Sequence, residues 1–373
     1  MVIAIVSLSY PHLYNPVEYA FVKELVDTFV RQGHNCYVIA PFNILRHRKR
    51  IKKHYSYNVE ASEVHCYRPY YLSFSNKFGF LSKIGALMLN KVAYRALRRI
   101  PQKIDVIYGH FWRGAYMGYR YAVEENIPLY VATGESVIDF ERNNKTTAFC
   151  DYVSGVICVS TKNKNESICK GLAVENKCIV IPNAVNVKIF YRHDKSECRK
   201  KLGYSPEEFI VIFVGNFSER KGVLRVAEAL KKVGNITSLF IGQGPLEPIC
   251  NGIKHKGPVR HELLPMYLSA SDVFVLPTLH EGCCNAIVEA MACGLPIISS
   301  NLSFNQDILD DTNSILINPM DIDSIAEAIQ ILKGDEDKRT RMSIGALERA
   351  KKMSIDERAK KIIDFILRNS FAK

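Results

Sequence analysis

Residues 2–7 are an unbroken run of apolar and small side chains closed by the turn-rich SYPHLYNP, the composition of a short strand buried on both faces. A helix follows. Across residues 18–31, Phe21, Val22, Leu25, Val26, Phe29 and Val30 fall on one helical face, and Gly33 ends it. Residues 36–40 make the next strand. A buried strand, an amphipathic helix and a second buried strand imply a parallel pair joined by a right-handed crossover. Further short strands are expected at 105–108, 129–132 and 155–159, so the first half reads as doubly wound α/β. The pattern starts again after VIPNAVNVKIF. Residues 186–205 are polar and suit a linker. An apolar strand at 209–214, the loop GNFSERKG, a helix at 223–232, a strand at 238–241, the turn GQGP, a helix near 262–269 and a strand at 273–276 then repeat the unit. Two such halves predict two domains facing across a cleft. From Asp321 the tail is helical: Asp321 or Asp323 can cap DIDSIAEAIQILK, and MSIDERAKKIIDFILRNS carries a further apolar face.

Charge is divided unevenly between the halves. Within a formal net charge of +12, residues 1–185 hold 24 Lys and Arg against 14 Asp and Glu, and residues 186–373 hold 26 against 24. The densest basic run, LRHRKRIKKH at 45–54, contains Arg48, Lys49, Arg50, Lys52 and Lys53. It leads to YRPYYLSFSNKFGFLSK, where aromatic residues interleave with Arg68, Lys77 and Lys83. Such a stretch suits an anionic membrane surface, nucleic acid or a plain solvated loop. Nucleic acid is the poorest match, because neither an RRM pattern nor zinc-finger spacing is present. A composition of 47% hydrophobic and 24% charged residues is that of a globular chain. The apolar start lacks the basic flank and length of a signal peptide, and no apolar run reaches the roughly 18 residues of a membrane span. Eleven cysteines without CxxC pairs argue against structural zinc or a disulfide framework and point to a reducing cytoplasm.

Chemistry concentrates in EGCCNAIVEAMACGLP at 281–296. Glu281 and Glu289 bracket a small-residue turn, with Gly282 at its front, that runs into an apolar helix. A helix N-terminus leaves N–H groups free and favours an anion such as phosphate. Glu281 stands beside whatever projects from that phosphate, while Glu289, about two turns into the helix, can accept hydrogen bonds from hydroxyls on its other side. A nucleotide-sugar fits this layout, and so does an ordinary strand–loop–helix connection with one acid near the helix start.

Together with its surroundings, this stretch resembles a known family. ASDVFVLPT followed by EGCCNAIVEAMACGLPII resembles the E-x7-E signature of retaining glycosyltransferases with the GT-B fold, family 4. VIPNAVNVKIF is similar to that family's interdomain segment, VGNFSERKG to its phosphate loop and IGQGPLE to its GDGP turn. RQGHNCYVIAP and DVIYGHF resemble two segments of its first half. All fall in order over nearly the whole chain. The resemblance implies an α/β, GT-B architecture of two Rossmann-like domains facing across a cleft. Residues 1–185 would lie on the acceptor side, 186–352 would bind the nucleotide-sugar, and 353–373 would be a helix packing back on the first domain. It further implies that Glu281 holds hydroxyls of the transferred sugar, Glu289 the ribose, and the backbone of Gly282, Cys283, Cys284 and Asn285 the donor. Lys221 would neutralise the diphosphate beside Gly215, Asn216 and Arg220, and Val259 and Arg260 would line the base pocket. His110 would lie near the reacting anomeric carbon, with Thr133, Gly134 and Glu135 in a loop near donor and acceptor. The donor is then a UDP- or GDP-sugar and no metal is needed, since a lysine and a helix N-terminus can take the leaving charge. The departing phosphate would itself help deprotonate the acceptor hydroxyl.

Two departures stand out. Asn216 takes the place of the Arg that usually follows the phosphate-loop glycine, with Arg220 four residues on. The first loop, SYPHLYNPVEYAF, has no glycine, so contacts there fall to side chains such as Tyr14, Asn15 and Glu18. The expected activity is sugar transfer to a hydroxyl of a lipid-linked or polysaccharide acceptor in cell-surface glycan synthesis, by an enzyme peripheral on the inner membrane face. A sugar phosphorylase or nucleotide-sugar epimerase of the same fold is the alternative. A nicotinamide-dependent oxidoreductase is disfavoured, because SLSYPHLYNP and not G-x-G-x-x-G follows the first strand.

Overall fold

The computed structural model describes residues 1–16, 18–45, 51–73 and 79–370; Arg48, Lys49, Arg50 and Lys77 of the basic stretch lie outside the described residues. The chain divides into two compact units. The first comprises Met1–Val159, Asn163–Ile181 and Ala359–Lys373, and the second Ser160–Lys162 and Pro182–Arg358.

In the first unit, β1 (Val2–Val6) leads through a loop to α1 (Ala20–Arg31) and β2 (Asn35–Ile39), followed by β3 (Phe42–Asn43), β4 (His54–Val59), β5 (Ser62–Tyr67), β6 (Tyr70–Tyr71) and α2 (Gly79–Leu97). β7 (Val106–His110), α3 (Trp112–Glu124), β8 (Leu129–Thr133), α4 (Thr147–Tyr152), β9 (Gly155–Cys158), α5 (Thr161–Cys169) and β10 (Cys178–Val180) come next. Eight strands pair in the order β10-β9-β8-β7-β1-β2-β5-β4, parallel except for β4 against β5. α1 buries Val22, Leu25, Val26, Phe29 and Val30. It begins at Ala20 and not at residue 18, because Tyr19 holds a left-handed φ of 55°. α3 lies so close to β7 that a Cβ on Gly109 would sit 2.2 Å from Ala115 Cα, so only glycine fits.

The second unit contains α6 (Lys195–Leu202), β11 (Ile210–Val214), α7 (Val223–Val233), β12 (Thr237–Ile241), β13 (Ile253–Gly257), α8 (Leu264–Ala270) and β14 (Val273–Leu276). α9 (Asn285–Ala292), β15 (Ile297–Ser300), β16 (Ser314–Ile317), α10 (Ile322–Gly334), α11 (Glu336–Lys351) and α12 (Ile355–Ser370) follow. Its six strands are all parallel, in the order β13-β12-β11-β14-β15-β16. The segment read as a polar linker holds α6, a helix without an apolar face to announce it. Asp194 caps it by accepting from Glu197 N–H at 2.8 Å, and Arg199 Nη2 ties it to Asp272 Oδ2 at 2.8 Å. Asp321 caps α10 through the N–H groups of Asp323 and Ser324. α12 leaves the second unit at Arg358, and its later residues pack in the first, where Tyr130 donates to Ile366 O at 3.1 Å. No helix of the described residues is long and apolar enough to cross a membrane.

In both sheets the order of strands reverses once, between β1 and β7 in the first unit and between β11 and β14 in the second. Ligands of open parallel sheets gather beyond the carboxyl ends of the strands at such a reversal. The loops that leave β1, β7, β11 and β14 are therefore where a site is expected.

Candidate active site

In the second unit those loops bring the two most informative stretches of the sequence together. Glu281, on the loop from β14 to α9, accepts three bonds on one oxygen: Oε1 lies 2.6 Å from Lys221 Nζ, 2.7 Å from Arg220 Nη1 and 2.8 Å from Thr278 Oγ1. Its other oxygen, Oε2, has no partner among the described residues. Lys221 and Arg220 come from the loop after β11, and Arg220 Nη1 also donates to His280 O at 2.6 Å. The Lys221 ammonium is held above the ordinary lysine range: burial opposes its charge, and Cys284, whose Sγ is 3.7 Å away, together with Glu281 more than offsets it. Burial pushes the Cys283 thiol up to about 12.

α9 starts at Asn285 with no side-chain cap hydrogen bond, so the positive end of its dipole lies at this turn. Asn183 fixes this turn by donating to Cys283 O at 3.0 Å and to Asn285 Oδ1 at 2.8 Å. Glu289 Oε1 lies 3.3 Å from His261 Nε2, and the His261 ring meets Phe190 edge-on at 4.9 Å. Val259 is half-buried and Arg260 exposed just before His261. Beside them the loop after β11 is clamped to the turn after β12. Gly215 N–H donates to Ile241 O and Phe217 N–H to Gln243 O, both at 3.0 Å, and a Cβ on Gly242 would lie 1.9 Å from Gly215 O. Asn216 is exposed on this loop. The second cation beside Glu281 is thus Arg220, four residues from the position where Asn216 stands.

Thr278, which the sequence reading passed over, is fully buried. Its carbonyl accepts from Ser300 Oγ, and Asn305 Nδ2 donates to Ser300 O at 2.8 Å, so the hydroxyl that holds Glu281 is fixed from behind. The signal was a hydroxyl three residues before the acid in LPTLHEG. His261 and Asn183 were also missed as partners, since each acts across a distant loop.

In the first unit, His110 ends β7 and is only 8% exposed. Ring centroids of Phe111, Phe21 and Tyr19 lie 4.6, 5.1 and 6.3 Å from its own. Tyr19 stands in the left-handed helical region, φ 55° and ψ 32°, and Phe111 at φ 65° and ψ 161°, sparsely populated backbone that costs roughly 1–3 kcal/mol at a non-glycine residue. The Glu135 carboxylate accepts from Thr133 Oγ1 at 2.6 Å, Gly134 N–H at 2.9 Å and, more weakly, the N–H of Trp112 at 3.4 Å in the first turn of α3. Burial raises its pKa against the pull of these donors. In the first loop, Glu18 Oε2 accepts from Asn15 Nδ2 at 3.2 Å and lies 3.6 Å from His12 Nε2, while Tyr14 is exposed. Arg68, buried, donates to Pro11 O and to Tyr55 Oη. Side chains brace this loop where the family has glycines. Among the described residues no group of three or more His, Cys, Asp or Glu is placed to hold a metal ion.

Two parallel α/β units, with a carboxylate clasped by two cations at a helix start in one of them, define the architecture of a GT-B-like glycosyltransferase. Residues 20–189 match Glycosyltransferase Family 4, and residues 208–335 match Glycosyl transferases group 1. The chain is 30% identical over 274 residues to the UDP-Gal:alpha-D-GlcNAc-diphosphoundecaprenol alpha-1,3-galactosyltransferase of Escherichia coli, covering 65% of this chain and 69% of that one. Sucrose-phosphate synthase from Thermosynechococcus elongatus superposes with a TM-score of 0.78 at 18% identity, over 100% of this chain and 99% of the other. Anabaena HepE in complex with UDP and glucose gives 0.71 at 18% identity, over 98% and 99%. The chain belongs to the GT-B glycosyltransferase superfamily.

Proposed function

We propose that the chain is a retaining, family 4-like glycosyltransferase that moves a sugar from a UDP- or GDP-sugar to a hydroxyl of a lipid-linked or polysaccharide acceptor in cell-surface glycan synthesis. The observation that carries this reading is the Glu281 carboxylate held by Lys221, Arg220 and Thr278 at the start of α9. The diphosphate then lies against the α9 N-terminus and the two cations, which take up the negative charge that develops as the bond from C1 to the phosphate oxygen breaks. Glu281 Oε2 receives a sugar hydroxyl, Glu289 the ribose, and the segment of Val259 and Arg260 the base. The acceptor oxygen bonds to C1 on the face the phosphate leaves, and its proton passes to the departing phosphate. That step uses neither a metal nor an enzymic nucleophile. Tyr14, Asn15, Glu18, His110, Thr133, Gly134 and Glu135 serve acceptor and sugar from the first unit. The printed name of the Escherichia coli relative, with its UDP-Gal donor and diphosphoundecaprenol-linked acceptor, supports this substrate class.

The test is nucleoside diphosphate release from a panel of UDP- and GDP-sugars, with Glu281→Ala and added chelator as controls. Release with at least one donor, lost in the variant and unaffected by chelator, is expected. No binding and no turnover with any donor overturns the reading, and an inverted anomeric configuration of the product by NMR overturns retention.

The same reading places the enzyme on the cytoplasmic face of a membrane. Along α2, Lys83, Leu87, Lys91 and Arg95 are exposed at helical spacing, Arg98 follows just beyond, and the helix contains no Asp or Glu. A basic face with an apolar residue suits anionic lipid. Neutralising Arg48, Lys49, Arg50, Lys52 and Lys53 should weaken co-sedimentation with vesicles containing phosphatidylglycerol at physiological salt; unchanged co-sedimentation contradicts membrane attachment through this half.

A further inference from the structure

Glu289, like Glu281, is held by one oxygen only. Its Oε1 lies 3.3 Å from His261 Nε2, and Oε2 accepts no hydrogen bond among the described residues. Since a carboxylate only accepts, the imidazole carries a proton on Nε2 and donates it. His261 stands outside the E-x7-E stretch. It opens the 3₁₀ turn His261–Leu263 just ahead of α8, 28 residues before Glu289.

The imidazole is itself steered. Phe190, 2% exposed, meets it edge-on, with ring centroids 4.9 Å apart and planes at 64°. Phe190 N–H in turn donates to Asn186 O at 2.8 Å, and Leu263 N–H closes the turn of His261 on Arg260 O at 2.9 Å. Two separate parts of the chain thus set a histidine ring, and that ring sets a carboxylate on α9.

Stability does not account for this arrangement. The His261 side chain is 55% exposed, and a pair at that exposure adds little to a fold. Its consequence is geometric. Glutamate is long and flexible, and one that nothing holds must be ordered when a ligand arrives. With Oε1 held, Glu289 is ordered in advance and Oε2 is left to accept. The ligand group that fits is a hydrogen-bond donor such as a hydroxyl, whereas a phosphate would be repelled. We propose that His261 is the positioning residue of a ribose subsite: it donates from Nε2 to Glu289 Oε1 and so presents Oε2 to the ribose hydroxyls of the nucleotide. The inference rests on the role of Glu289 in the proposed function and adds the residue that makes that role selective.

The experiment is calorimetric titration of the full chain with UDP or GDP, whichever binds, against its 2′,3′-dideoxy counterpart. Wild type is expected to bind the ribose form about tenfold or more tightly, the scale of a hydrogen bond to a charged group. His261→Phe keeps a ring against Phe190 and loses the N–H. It should lower that preference by about threefold or more and leave affinity for the dideoxy nucleotide within about twofold of wild type. His261→Gln, whose amide nitrogen falls near the place of Nε2, should restore the preference. In Glu289→Ala the preference should vanish, and adding His261→Phe should change nothing further. A histidine that only packs its loop predicts that His261→Phe weakens both nucleotides alike or neither. An unchanged ratio of affinities in His261→Phe therefore overturns the inference, and so does an effect of His261→Phe that persists in the Glu289→Ala background. A wild type that binds neither nucleotide, or binds one without regard to its ribose hydroxyls, overturns the role of Glu289 and this inference with it. A preference abolished by Glu289→Ala and untouched by His261→Phe overturns this inference alone.

Discussion

At the switch point of the second unit, one carboxylate oxygen collects a lysine, an arginine and a threonine hydroxyl within 2.8 Å, whereas at that of the first unit a buried histidine is wrapped by three aromatic rings. The first arrangement comes from two short stretches of chain, 215–222 and 278–289. The second draws on Tyr19, Phe21, His110 and Phe111, from the start of α1 and the end of β7, which only the assembled sheet brings together. Charged groups hold one another in place over short distances, so their spacing along the chain already carries most of the geometry. Rings position one another through packing, and packing is a property of the assembled unit.

The sharpest way to break this contrast is to truncate one group on each side. Glu281→Ala removes the group that Lys221 and Arg220 share and should lower kcat/KM for the donor by about 10²–10³-fold, on the scale of losing one group that orients transition-state charge. Tyr14→Ala, at an exposed position, should cost less than about tenfold, or roughly 1.4 kcal/mol. Equal losses in the same turnover assay would remove the distinction between a charged centre and a ring-lined rim.

Next in size is a stability effect confined to the first unit. Gly109→Ala drives a methyl group into the backbone of α3 and should destabilise the fold by about 1–3 kcal/mol in thermal or denaturant melts. Gly334→Ala in the second unit meets nothing within 4 Å and should change stability by less than about 0.5 kcal/mol. A silent Gly109→Ala would mean that α3 does not press on β7 as closely as the geometry requires.

The smallest effect is a pH dependence. Burial raises the Glu135 carboxyl above its ordinary 4.5, with Thr133 and nearby N–H groups pulling the other way. A raised carboxyl pKa favours the fold below the unfolded value, and that contribution disappears as pH rises through the folded value. Between pH 4 and 7, wild type should therefore lose stability relative to Glu135→Gln in parallel melts. A relative gain by wild type would show that the three hydrogen bonds, and not burial, dominate this carboxylate.

Much of the fold was legible because buried parallel strands are nearly continuous apolar runs: the strand read at 273–276 is β14, and those read at 209–214 and 238–241 differ from β11 and β12 by one residue. α6 escaped notice since an ion pair to Asp272, and no apolar stripe, secures it. α2 and α3 were also unread; in α3 the close approach to β1 and β7 is made by Gly114, Ala115 and Gly118, residues whose small size does not mark them as a packing face in sequence. In the second unit, Glu281, Lys221 and Arg220 stood out as charges in short motifs. Thr278 and His261 there, and the rings of Phe111 and Phe21 in the first unit, did not, because a hydroxyl, an exposed imidazole and two phenylalanines look ordinary until loops distant in sequence are packed within each unit.

Calorimetric titration of UDP and GDP into wild type, Lys221→Ala and His110→Ala tests the assignment of the donor diphosphate to the second unit most directly. The expected result is one site in wild type for at least one of the two nucleotides, binding weaker by about tenfold or more in Lys221→Ala, since a buried, paired cation is lost, and binding within about twofold of wild type in His110→Ala. Equal weakening in the two variants, or no binding of either nucleotide to wild type, would contradict it.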